Sequence, residues 1–236
     1  EAVNGGKSGI SVGAAPKLDM GQTVAWKETV VDKLNGGVTG LLKRAKTRVV
    51  HGWGTFSDAK TCHVETADGP VTIKADTVDF SDVIASTSGS VIFAPHTSGL
   101  AISLADAPVG GQLTLTGAQL QLVSAADGVV IGDATAGDIS LAGTITQPVA
   151  GWDTLPLVTS GSVSDAAGGT LQVANLAVSS VTGVTLSTQG QLIGTFAAAN
   201  TISGGVSLKN TPPLTVGSVA GVNGINTADD VSLTVT

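Results

Sequence analysis

The chain has 236 residues, with 11 Lys and Arg against 18 Asp and Glu for a net charge of −7, and it is only 12% charged and 3% aromatic. Plentiful Val, Ile and Leu exclude a disordered chain, and the acidic balance argues against nucleic acid as a partner. The lone Cys62 excludes a scaffold stapled by internal disulfides, though it does not fix the compartment.

Charge divides the chain. Ten of the 11 basic residues lie between Lys7 and Lys74, and eight acids lie between Glu1 and Asp76, a local balance of about +2. The remainder carries ten acids against Lys209 alone, about −9. Two such different compositions predict two segments, 1–78 and 79–236. No secretory signal stands at the start, and no run approaches the length of a membrane-spanning helix. The chain begins at Glu1 rather than Met and stops at Thr236 inside a strand-like run, so both ends are expected to be cut, as in a mature fragment or an engineered chain.

The first expected element is a helix. Asp19 and Gln22 have the spacing of an N-terminal capping box, with Pro16 upstream. Val24, Val31, Leu34, Val38, Leu41 and Leu42 then recur at helical spacing to about Ala45. Lys43, Arg44 and Lys46 suit the negative end of the helix dipole. Gly36 and Gly37 weaken the middle by about 1 kcal/mol each and mark a kink or a close helix contact. The period then shortens: 48–56, 61–65 and 71–74 read as three short strands, with Ser57–Lys60 and Ala67–Pro70 as turns. The expectation is a helix feeding a three-stranded antiparallel meander.

The runs Lys17-Leu18-Asp19-Met20, Thr23-Val24-Ala25-Trp26-Lys27, Val31-Asp32-Lys33-Leu34, Gly37-Val38 and Leu41-Leu42-Lys43, followed by Val49-Val50-His51-Gly52-Trp53-Gly54, resemble dihydrolipoamide dehydrogenase. The likeness covers roughly residues 5–76, and order, spacing and the helix-to-strand switch all agree. The family's chemistry does not come with it. No Gly-x-Gly-x-x-Gly turn precedes residue 17, no second cysteine partners Cys62, and the family's His-Glu base pair has no counterpart. The resemblance therefore implies a local shape and no flavin site or catalytic residue.

Beyond Thr77, runs of three to five residues alternate apolar side chains with Thr, Ser or Gln, separated by Gly, Asn or Asp. They include 90–93, 100–104, 112–115, 120–123, 129–131, 138–141, 170–173, 184–186, 206–208, 214–219 and 231–235. Val184-Thr185-Leu186, Val206-Ser207-Leu208 and Val231-Ser232-Leu233 are near-copies about 22 and then 25 residues apart. That interval fits a solenoid in which no turn buries its own apolar face. Val, Leu and Ile are expected inside, Thr and Ser outside, and Gly and Asn at corners that need positive φ.

The segments 192–200, 204–210 and 214–225 resemble the filamentous-haemagglutinin-like secreted proteins of Gram-negative bacteria. That resemblance implies a right-handed parallel β-helix over about 80–236 and an extracellular or cell-surface location. The fold expected is mainly β, a right-handed parallel β-helix (solenoid) preceded by a helix plus antiparallel meander.

Each candidate site has a plainer reading. Gly5-Gly6-Lys7-Ser8-Gly9 lacks the upstream Gly and strand of a phosphate loop. Cys62, His51 and His63 share the expected meander, but consecutive Cys62 and His63 point to opposite faces, and His96 lies in the other segment. Asp79 with Asp82 is a candidate acid pair for glycoside cleavage, and Asp127, Asp133, Asp138, Asp229 and Asp230 are candidate calcium ligands, yet each reads first as a turn former. Trp152, between Pro148 and Pro156, suits an exposed loop and sugar stacking, or packing in the core. No catalytic, cofactor or metal residue is assigned.

The function expected is a non-catalytic structural or adhesive segment of a secreted or surface β-helical filament. Its expected partners are fibre neighbours through self-association, with a cell-surface or carbohydrate ligand as a further candidate, and neither nucleic acid nor a membrane span. The alternatives are an inactive chimera or fragment related to dihydrolipoamide dehydrogenase and, more weakly, a β-helical polysaccharide-active enzyme.

Overall fold

The computed structural model describes residues 19–45, 47, 53–56, 62–65 and 69–236, with 53–56 and 62–65 described by backbone alone. The chain divides into two compact units, 1–50 and 51–236, each described by itself.

The first unit holds helix α1 (Met20–Arg44), which starts where the capping signal places it. The Gln22 N–H donates to Asp19 Oδ1 at 3.1 Å, satisfying one of the donors that the first helical turn leaves free. Lys43 and Arg44 occupy the last turn. The helix runs through Gly36 and Gly37, and a Cβ at either would meet nothing within 4 Å, so no close packing accounts for them. Val24, Val31, Leu34, Val38 and Leu41 are all exposed.

In the second unit, β1 (Trp53–Phe56) pairs antiparallel with β2 (Cys62–Glu65). The third strand expected in this meander goes elsewhere. β3 (Val71–Lys74) pairs in parallel with β5 (Val91–Ala94), with β4 (Ile84–Ser86) between them in sequence. Val71 and Ile73 lie beside Val91 and Phe93, and they pack against the core that those two residues enter. Matching of inward side chains outweighs the usual preference of neighbouring strands for a hairpin.

Next come β6 (Ile102–Ala105), β7 (Leu113–Thr116), the single turn α2 (Gly117–Leu120), β8 (Val123–Ala125) and β9 (Val129–Gly132). Residues 120–123, expected as a strand, instead span the end of α2. Thr116 and Gln119 close a reciprocal capping box there, and Leu120 is fully buried. The coils then become regular: β10 (Ile139–Leu141), β11 (Thr144–Thr146), β12 (Thr154–Val158), β13 (Val163–Ser164), β14 (Thr170–Ser180) and β15 (Val184–Asn200). The last part holds β16 (Val206–Asn210), β17 (Thr215–Val216), β18 (Ser218–Val219), β19 (Val222–Asn223), β20 (Ile225–Asn226) and β21 (Val231–Val235).

Fifteen of these strands form one curled sheet whose pairings are all parallel. The near-copies seen in the sequence stack directly: Val184, Val206 and Val231 align, as do Leu186, Leu208 and Leu233. The same column runs on through Val163, Ile139, Ile102 and Leu113. Successive rungs from Ile139 to Val231 start 24, 21, 22 and 25 residues apart. One position along, every rung carries a hydroxyl: Thr114, Ser103, Ser140, Ser164, Thr185, Ser207 and Ser232. Alternation along a strand sends the two columns to opposite faces, aliphatic inward and hydroxyl outward.

A second column runs through Ile73, Phe93, Ile131, Leu157, Val178, Ala198 and Ile225. Its outward neighbours include Ala177 and Ala197, which align and are buried. Between Val216 and Ile225 the chain leaves the rung and forms the antiparallel hairpin β18–β19, whose Val219 and Val222 cover those two alanines. Ala220 (φ 48) and Gly221 (φ 83) make its two-residue turn, the φ signs of a type I′ hairpin.

The corners work differently from expectation. Positive φ is taken there by glycines, among them Gly204 (φ 77), where an added Cβ would sit 2.4 Å from the Thr182 carbonyl oxygen. No described Asn has positive φ. Asn200 and Asn210 serve instead through their side chains. Asn210 is fully buried, accepts from the Ile193 N–H at 2.9 Å, and donates to the Ile193 and Pro212 carbonyls at 2.8 and 2.9 Å. Asn200 accepts from the Gly183 N–H at 3.0 Å and donates to the Ser203 carbonyl at 2.8 Å. Asn210→Ala strands buried backbone groups of Ile193 and is expected to cost about 1–3 kcal/mol, read as a lowered midpoint in urea unfolding. An unchanged midpoint would mean that water replaces the amide.

Candidate functional site

Most buried polar groups are used up in holding corners. Asp165 is fully buried and accepts from the N–H groups of Thr188 (3.2 Å) and Gln189 (2.9 Å) and from Gln191 Nε2 (3.0 Å). Gln191 Oε1 in turn accepts from the Leu171 N–H at 2.7 Å. This closed network offers no free group to a substrate. Sequence reading passed over it, although an acid placed where the rung pattern otherwise has Leu (Leu141, Leu186) is the signal that finds it.

A groove of ≈ 310 Å³ lies against α2, lined by Asp106, Thr116, Gln121, Thr144 and Thr146 among others. Asp106 is its sole acid, and its Oδ1 accepts from the Thr144 N–H at 3.1 Å. Gln121 donates to the Thr146 carbonyl. Glycoside cleavage needs two carboxyl groups facing one bond, and this groove supplies one.

The sequence candidates are dispersed. Asp79 with Asp82, Asp127, Asp138, and Asp229 with Asp230 are exposed in four separate stretches of the chain. Asp82 accepts from its neighbour's N–H, and Asp138 from the N–H and hydroxyl of Ser162 at 2.7 and 2.9 Å. Among the described residues no three His, Cys, Asp or Glu side chains gather closely enough to hold a metal ion. His96 is exposed. Residues 5–9 and His51 lie outside the described residues, as do the side chains of Cys62 and His63 in β2. Trp152 is no exposed loop residue: it is 4% exposed and donates from Nε1 to the Leu120 carbonyl at 3.0 Å, so its ring packs inside.

Two carboxylates are tuned by their neighbours. Burial pushes Asp133 upward, but hydrogen bonds from Lys74 (2.7 Å) and from the hydroxyl and N–H of Thr135 outweigh it and hold it at about 2. The Thr97 hydroxyl and N–H, at 2.6 and 2.7 Å, lower Asp76. Asp133 and Thr135 shape one turn, and Lys74 reaches them from β3. The arrangement ties β3 to the turn after β9, two strands along the same ladder.

Comparison with known proteins gives short matches to one enzyme. The chain is 46% identical to the dihydrolipoyl dehydrogenase of Pseudomonas aeruginosa over 61 residues, 26% of this chain and 13% of that enzyme. It is 38% identical to that of Haemophilus influenzae over 99 residues, 41% of this chain and 20% of the enzyme. It is 38% identical to that of Geobacillus stearothermophilus over 79 residues, 34% and 16% respectively. The resemblance to dihydrolipoamide dehydrogenase is thus real and partial, and the chain spans no more than 20% of the length of these curated relatives. No protein-family model and no solved structure matches the chain. Among the described residues no helix is long and apolar enough to cross a membrane.

A depressed carboxyl stabilises the fold above the unfolded value near 4, and this contribution is lost as pH falls through the folded value. For Asp133 the window is from about pH 4 down to about 2. Lys74→Met is expected to raise the Asp133 value in an NMR carboxyl titration. Because Lys74 is half exposed, the cost in stability at neutral pH should stay under about 1 kcal/mol. An unmoved titration would remove Lys74 as a cause.

Proposed function

We propose that the β-rich unit is a right-handed parallel β-helix and that the protein is a non-catalytic structural or adhesive segment of a secreted or surface-displayed filament, of the filamentous-haemagglutinin-like kind. The observation that carries this reading is the unbroken aliphatic column from Leu113 to Val231, shared by seven rungs. Closure into a helix is supported by the order in which the regular coils visit their strand columns. From β10, β13 and β15 the chain passes to an intermediate column, seen in the pairing of β11 with β14, and then to the Ile73-to-Ile225 column, where β12, β14 and β15 pair. Right-handedness follows from the strong chiral preference of parallel crossovers. The absence of a role in catalysis is supported by how the polar groups are spent: Asp165, Gln191, Asn200 and Asn210 hold corners, Asp133 holds a turn, and Asp138 links its coil to Ser162 of the next.

A second reading has its own observation. The matches to dihydrolipoyl dehydrogenase favour a chain that carries an inactive piece of that enzyme beside the β-rich unit. Both readings expect the purified protein to take up no flavin from FAD and to turn over neither dihydrolipoamide nor polysaccharide. They part on location: antibody against the β-rich unit is expected to label intact, unpermeabilised source cells. Labelling only after permeabilisation would sink the surface role, and flavin absorbance or turnover would sink the non-catalytic one.

A further inference from the structure

The register measures one detour that the chain makes from its rungs. Phe196 pairs with Val216 and Ala198 with Ile225, so a single residue opposite Ala197 would complete the rung. Residues 217–224 stand there instead and carry the hairpin β18–β19. Its neck is closed by the Gly224 N–H, which donates to the Gly217 carbonyl at 2.8 Å, and both feet are glycines, Gly224 with φ 63. Above the neck, residues 218–223 bond to one another, as where the Ser218 hydroxyl donates to Asn223 Oδ1 at 2.7 Å, and among the described residues they make no hydrogen bond to the coils beneath. What holds them down is a small cluster apart from the main core: Val219, 5% exposed, and half-buried Val222 lie on Ala177 and Ala197.

We propose that β18–β19 is a hinged strap: it lifts about Gly217 and Gly224 while the rungs stay paired, and lifting bares an apolar patch on the outer face that the closed strap hides. Three observations carry this. The strap is held by non-directional packing of two valines on two alanines, with no hydrogen bond to the coils to break, so lifting it costs far less than parting the rungs. Its feet are glycines, which turn through backbone conformations closed to other residues. The rung is already satisfied on either side of the feet, since the Gly217 N–H donates to the Phe196 carbonyl at 3.1 Å and the Ala198 N–H to the Gly224 carbonyl at 2.9 Å. Motion above those bonds leaves the ladder intact. Pro156, Ala177 and Ala197 align on the outward side of β12, β14 and β15, and the strap closes over the last two. The inference concerns motion, and it needs neither the handedness nor the surface location argued above.

The test is thiol labelling of the whole folded chain, with Ala177→Cys in a Cys62→Ser background and Thr185→Cys, at an exposed position on the outer column, as the open reference. The thiol at 177 is expected to react at least about tenfold more slowly than the reference. Val219→Ser removes the packing and leaves the rungs alone, so it should speed labelling at 177 at least about tenfold with the urea midpoint in place. Replacing residues 217–224 by a single alanine should speed it likewise and keep one cooperative unfolding transition. Should Ala177→Cys fail to fold, hydrogen exchange of the unaltered chain gives a second reading. A lifted hairpin this short does not hold its own hydrogen bonds. The Gly224 amide should therefore be at least about tenfold less protected than the Val184 amide, which donates to the Gly205 carbonyl at 2.9 Å between rungs. Overturning results are a thiol at 177 that reacts as fast as the reference, labelling that Val219→Ser speeds only in step with a lowered urea midpoint, or a Gly224 amide as protected as that of Val184. Each would defeat the strap and leave the structural role, tested on intact cells, standing.

Discussion

Each coil of the β-rich unit depends on its neighbours for a core. A rung such as Val184-Thr185-Leu186 has two aliphatic side chains pointing inward and too little around them to bury either alone. Val163 below and Val206 above close over Val184, and Leu208 closes over Leu186. With rungs about 4.8 Å apart, each inward position must carry a side chain of similar size and branching to those above and below it. That requirement explains the near-copies, the Val, Ile and Leu content, and the scarcity of aromatics. Phe93 and Phe196 do fit inside, where their register neighbours are aliphatic: Ile73 and Ile131 beside Phe93, Leu176 and Val216 beside Phe196.

The same stacking fixes where polarity goes. Parallel strands satisfy one another's backbone groups along the faces, but a chain that bends sharply at a corner leaves N–H and C=O groups pointing inward with no strand partner. Asn200, Asn210, Gln191 and Asp165 fill that need with side-chain amides and a carboxylate. A buried carboxylate in an enzyme is often held ready for chemistry. Here its oxygens are taken by two backbone N–H groups and an amide, and the network ends inside the protein. The outer column carries Ser or Thr on every rung, buried at Ser103 and Thr114 and half-buried to exposed from Ser140 to Ser232.

How much of this was legible in the sequence follows from which interactions are local. The helix start at Asp19 and the V-x-L copies were readable because a cap and a two-residue period are written into adjacent residues. The pairing partner of β3 was not, because Ala67-Asp68-Gly69-Pro70 reads as a hairpin turn while the deciding contacts, Val71 with Val91 and Ile73 with Phe93, lie 20 residues away. Residues 175–180 and 192–200 do not stand out as strands because β14 and β15 run on around a corner at Ala174 and Gly194, where their pairing breaks, with no loop between the two faces. Trp152, set between prolines, leaves an exposed loop and packing in the core both open in sequence, and only the fold brings the Leu120 carbonyl to its indole N–H. The candidate acids read first as turn formers, and Asp82 and Asp133 do bond to backbone one and two residues on, whereas Asp138 bonds across to Ser162 of the next coil.

The central claim is that the aliphatic rungs form one stack that advances by a constant step. Pairs of spin labels on the outward hydroxyl column measure that step directly, in a Cys62→Ser background with cysteine placed at Ser232 and at either Thr185 or Ser140. Thr185 lies two rungs from Ser232 and Ser140 four, so backbone separations of about 10 and about 19 Å are expected, the second twice the first. Equal distances for the two pairs, or a shorter one for Ser140, would mean that the chain folds back on itself in layers and would contradict the account.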